Sequence, residues 1–73
     1  MTLKQFEKVN SSTVTKFKVL NDEGECVDFF TVDYQGDNTE FQDSLSKRIS
    51  YEKAKVRFVR ASAEGDLRVT IIA

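Results

Sequence analysis

The chain has 73 residues, 40% hydrophobic and 32% charged, with a net charge of −1, no histidine and one cysteine. Such a length holds one hydrophobic core, so residues 1–73 read as a single domain, and the composition is that of a folded chain rather than a disordered or fibrous one. Without histidine the usual general base and zinc ligand are missing, and the lone Cys26 cannot form an internal disulfide, so neither an enzyme nor a cofactor or metal site is expected.

Residues 2–9 fit two readings. Leu3, Phe6 and Val9 recur at helical spacing, while Thr2 to Val9 also suits an additional N-terminal edge strand; the strand is the reading adopted. This opening segment lacks the roughly 7- to 15-residue apolar core of a signal peptide, and no apolar run approaches the ~20 residues that span a bilayer. With an unpaired thiol, the expected compartment is the cytoplasm.

Two runs rich in β-branched and aromatic residues follow, Thr13–Leu20 and Cys26–Tyr34, and read as a hairpin. Asn21-Asp22-Glu23-Gly24 suits a type I turn with glycine in the left-handed position. In the favoured register Phe17 opposes Phe29, Val19 opposes Val27 and Lys18 opposes Asp28, while a two-residue turn would set Phe17 against Phe30. Cys26, inside an apolar run, reads as a small buried hydrophobe. The favoured register turns Phe30, Val32 and Tyr34 outward, and an apolar row of that kind on so small a protein marks a partner interface, the alternative being that residues 2–9 fold across that face and bury it with Leu3 and Phe6.

Thr39 to Ser50 carries the best helix signal. Thr39 with Gln42 forms a capping box, Lys47 and Arg48 complement the far end of the dipole, and Phe41, Leu45 and Ile49 form one apolar stripe to lay on a sheet. From Lys53 the period becomes two: Ala54, Val56 and Phe58 alternate with Lys53, Lys55 and Arg57. A turn near Gly65 leads to a last strand, Leu67 to Ile71, with Ser62 set against Leu67 and Phe58 against Ile71. The fold expected is α+β, a β-β-α-β-β domain with a mainly antiparallel sheet and one helix packed on one face.

Charge is segregated. Residues 21–46 hold eight acidic residues and no basic one, whereas residues 47–60 hold six basic residues against Glu52. Cross-strand neutralisation is one explanation, and steering of a partner the other. Calcium binding by Asp33, Asp37 and Glu40 does not match the EF-hand pattern, and the isolated glycines form no phosphate loop. The function expected is therefore a small non-enzymatic interaction or regulatory module that binds a protein partner or a second copy of itself. The alternative is a binder of single-stranded nucleic acid through Arg48, Tyr51, Lys53, Lys55, Arg57 and Arg60, where basic side chains flank an aromatic. A sequence pI of 5.3 weighs against the alternative.

Overall fold

The computed structural model describes residues 1–9, 14–34, 36 and 42–73. In chain order they form α1 (Leu3–Val9), β1 (Val14–Leu20), β2 (Cys26–Asp33), α2 (Gln42–Ser50), β3 (Lys55–Ala61) and β4 (Leu67–Ile72). The four strands make one sheet in the order β2-β1-β4-β3. Its central pair, β1 with β4, is parallel, and each outer strand joins it through an antiparallel hairpin. The class is α+β as expected, but the sheet is mixed and the β-β-α-β-β order appears only after an initial helix.

That helix corrects the strand reading of residues 2–9. Thr2 and Gln5 form a reciprocal capping box: Gln5 N donates to Thr2 Oγ1 at 3.3 Å and Thr2 N donates to Gln5 Oε1 at 2.9 Å. The next free donors are also satisfied, Leu3 N by Ala54 O and Lys4 N by Glu52 O, at 2.9 and 3.0 Å. A helix this short does not hold itself in water, where ~12–15 residues are marginal, so tertiary packing stabilises it. Leu3 and Phe6 supply that packing from inside the core. Of the expected edge strand only a single bridge remains, Thr2 to Lys55, beside a Val56 N to Met1 O bond of 2.8 Å.

The two hairpins turn in the same way. Asn21 N donates to Glu25 O and Gly24 N to Asn21 O; Ser62 N donates to Asp66 O and Gly65 N to Ser62 O. Gly24 and Gly65 have φ of 82° and 91°, the left-handed position that closes a three-residue loop. Each edge strand then carries a bulge. In β2, Leu20 faces Cys26 but Val19 faces Asp28, leaving Val27 over; in β3, Val56 faces Ile71 but Phe58 faces Thr70, leaving Arg57 over.

Both expected registers are corrected, the first by the β2 bulge and the second at the turn itself, where Ala61 rather than Ser62 faces Leu67. Phe17 opposes Phe30 rather than Phe29, Lys18 opposes Phe29 rather than Asp28, and Phe58 opposes Thr70 rather than Ile71. Because side chains alternate with period two, one inserted residue moves a whole row to the other face. Phe30 and Val32 therefore lie in the core, 7% and 0% exposed, and Tyr34 packs half-buried against it. They are not an outward row. The core is completed by Leu3, Phe6, Phe17, Val19, Ala54, Val69 and Ile71, with Phe17 and Phe30 stacked at 4.7 Å and Phe6 edge-on to Phe17.

Helix α2 departs from its expected orientation. Among the helix residues whose side chains are described, Ser44 is buried, while Leu45 and Ile49 are 54% and 72% exposed. The core face is already covered by Leu3 and Phe6 of α1, so α2 lies against edge strand β2 and is fixed there by charge. Lys47 Nζ reaches Asp28 Oδ1 at 2.7 Å, and Arg48 Nε donates to Glu7 Oε2 of α1. Thr39, Phe41 and the expected cap fall outside the described residues, as do Asp37 and Glu40.

Candidate ligand-binding face

One face of the sheet carries α1 and the core, and no described element covers the other. Lys16, Lys18 and Leu20 of β1 point to this open face because Phe17 and Val19, which alternate with them, point into the core. The strand pairings then place three cross-strand rows on it. Thr31, Lys16, Arg68 and Arg60 form one; Phe29, Lys18, Thr70 and Phe58 form the second; Cys26, Leu20, Ile72 and Lys55 form the third. Phe29 and Phe58 are 65% and 61% exposed and stand at opposite edges of the sheet, three strand spacings or about 14 Å apart. Between them lies a groove of about 710 Å³ lined by Lys16, Lys18, Phe29, Phe58, Arg60 and Arg68, among others.

The charge on this face is predominantly positive. Lys16, Arg68 and Arg60 stand side by side in one row, where like charges oppose each other across strands at a cost in stability. Among the described residues, Asp66 and Glu64 answer them. Asp66 lies 3.4 Å from Lys16 Nζ and 3.5 Å from Arg68 Nε, and Glu64 lies 3.8 Å from Arg68 Nη2. Among the described residues, no carboxylate is within ion-pair distance of Lys18, Lys55 or Arg60. A hydrogen bond from Ser62, reinforced by Lys16 and then Arg68, holds the Asp66 carboxyl below its ordinary pKa. The Arg57 guanidinium sits 5.3 Å over the Phe58 ring. The acidic turn residues Asp22, Glu23 and Glu25 lie beyond the end of β1, outside the groove lining.

The residues singled out from sequence divide between two faces. Lys55, Arg57 and Arg60 are exposed on β3, and Lys53 is exposed just before it. Arg48 and Tyr51 belong to the inner layer. Arg48 bonds Glu7 and lies 5.3 Å over the Tyr34 ring, while Tyr34 donates to the same Glu7 at 2.9 Å. Burial, then the Glu7 bond, pushes the Tyr34 phenol well above its ordinary pKa. Tyr51 stacks on Phe30 and donates to Asp28 Oδ2 at 3.0 Å, a bond that raises its own pKa. Asp28 is held low chiefly by its hydrogen bond from Lys47. Lys16, Lys18, Arg68, Phe29 and Phe58 were missing from the sequence-derived set. The alternation of Lys16 and Lys18 with Phe17 and Val19 marks both as outward; that β1 lies between β2 and β4 is what brings Arg60 and Arg68 to them.

Cys26 is exposed at the start of β2, not buried, with Sγ 3.6 Å from Asp28 O. Among the described residues there is no group of three metal-ligating side chains, and no helix is long and apolar enough to cross a membrane. Comparison with known protein families, curated proteins and solved structures finds no match to this chain.

Proposed function

We propose that the protein is a non-enzymatic binding module whose open sheet face takes single-stranded nucleic acid. The observation that carries this reading is the row of Phe29, Lys18, Thr70 and Phe58, flanked by Lys16, Arg68 and Arg60 on a face that no described element covers. Exposed aromatics on a sheet stack bases, and the basic side chains between them track phosphates; together they give affinity without reading sequence. The strand crosses the sheet from one edge to the other, between the acidic turns at Asp22–Glu25 and Glu64–Asp66. A cytoplasmic location fits the exposed free thiol of Cys26.

The test is fluorescence anisotropy of a labelled deoxythymidine oligomer. Binding at low salt should weaken linearly on a log–log plot as salt rises, and Lys18→Glu should flatten that slope by about 0.7, the contribution of one phosphate contact on a single strand. Phe29→Ala and Phe58→Ala should each cost roughly 1–3 kcal/mol of binding while leaving the circular dichroism unchanged. A flat titration at low salt overturns the reading.

A second reading, a protein partner or a second copy of the chain, is favoured by the outward Leu45 and Ile49 on α2. Under that reading, Leu45→Ser with Ile49→Ser abolishes association seen by light scattering and leaves oligonucleotide binding intact.

A further inference from the structure

Asp66 occupies a position that the proposed function does not use. Its side chain is 12% exposed, and one carboxylate oxygen faces Lys16 while the other faces Arg68, both of them cations of the groove. Its main chain does separate work, since Asp66 O accepts from Ser62 N to close the turn. Glu64, on the same turn, is 73% exposed and reaches only Arg68, at 3.8 Å. A carboxylate so placed fills the same positions, relative to two donors, that a phosphate oxygen would fill. It is also tethered a few residues from Arg68, so it competes at a high effective concentration that a free monovalent anion cannot match.

We propose that Asp66 is a specificity-determining residue of the sheet face, an internal occupant of the Lys16–Arg68 pair that admits only ligands able to bind elsewhere first. This inference rests on the reading of that face as a single-strand site. An acidic peptide offers carboxylates where a carboxylate already sits, and gains nothing from Phe29 or Phe58. A single strand engages Lys18, Arg60 and the two rings first, and reaches Lys16 and Arg68 only by displacing Asp66. Asp66 therefore lowers affinity for every polyanion but lowers it most for those lacking bases.

The experiment compares wild-type protein with Asp66→Asn, which keeps the turn's main-chain bond and removes the charge. Both are titrated with the deoxythymidine oligomer and with a poly-glutamate peptide, across a salt series. The expected result is tighter binding of the oligomer by Asp66→Asn, on the order of tenfold, for release of its two cations. The salt slope should steepen by about 1.4, because two further phosphates are neutralised. Peptide binding should emerge or rise by a larger factor than oligomer binding, and Asp66→Asn combined with Lys16→Gln and Arg68→Gln should lose the gain. Glu64→Gln should shift the oligomer's affinity much less. Wild-type binding that is unchanged in strength and slope by Asp66→Asn overturns the inference and leaves the proposed function standing. Absence of oligomer binding by both proteins at low salt overturns both.

Discussion

Arg48 shows how a single residue's role depends on what the fold sets beside it. By position in the chain it belongs with Lys53, Lys55 and Arg57, and a basic surface over residues 47–60 follows naturally. In the structure α2 turns it inward, where Glu7 accepts from it and the Tyr34 ring lies beneath its guanidinium. Glu7 is 16% exposed on its side chain and also accepts from Tyr34, so removing Arg48 leaves a partly buried carboxylate short of a charged donor. Arg48→Ala should destabilise the fold by about 1–3 kcal/mol. Lys53→Ala, at an exposed position, should stay within about 0.5 kcal/mol of wild type. Urea unfolding measures both, and equal effects would remove Arg48 from the inner layer. Lys47 repeats the logic with Asp28, and the pair of ion bridges explains why a helix with an apolar stripe presents its polar side to the domain. Sequence patterning assumes that apolar stripes face sheets; it does not register that α1 has already taken the covering position.

At the scale of elements, the strands, both glycine turns and the existence of α2 are readable from local chemistry, because each rests on neighbours in sequence. The bulges at Val27 and Arg57 are not. Nothing in Cys26-Val27-Asp28 distinguishes a bulged valine from a paired one; the choice is made by the core, which takes Phe30 and Val32 beneath α1 in preference to Val27 and Phe29. The capping box of α1, Thr2-x-x-Gln5, has the same form as Thr39-x-x-Gln42, and it distinguishes the helix from an edge strand over residues 2–9. Bulges and basic side chains on β3 also blunt an edge that would otherwise invite strand addition. Two adjacent phenylalanines test the register of β2. Phe30→Ala should cost about 3–5 kcal/mol as a core truncation. Phe29→Ala should cost under about 1 kcal/mol, since its ring is 65% exposed. Thermal unfolding reports the difference, at roughly 4–8 °C for each kcal/mol in a domain of this size. A hairpin without the Val27 bulge reverses the order of the two variants.

For the whole molecule, the titrating groups enclose stability from both sides. A domain of this length buries only about 60% of its unfolded surface and is marginal, so linked protons should move its stability visibly. Asp28 and Asp66 have folded-state pKa values below their unfolded ones, so each contributes stability that is present above about pH 4 and lost as pH falls through the folded value. Tyr34 and Tyr51 have folded-state values above their unfolded ones. Their contribution is complete below about pH 10 and is lost as pH rises through the raised value. The two alkaline shifts differ in origin: burial leads for Tyr34, whereas the bond to Asp28 leads for Tyr51. The urea midpoint should therefore hold a plateau from about pH 4 to about pH 10 and fall beyond each end. Asp28→Asn should shallow the acid limb, and because Asp28 is also the chief cause of the Tyr51 shift, it should shallow part of the alkaline limb as well. Tyr34→Phe should act on the alkaline limb alone, since Glu7 keeps Arg48 as its partner. An acid limb that survives unchanged in an Asp28→Asn, Asp66→Asn double variant would show that other carboxylates carry it, and that the Lys47 and Lys16 pairs do not couple folding to protons.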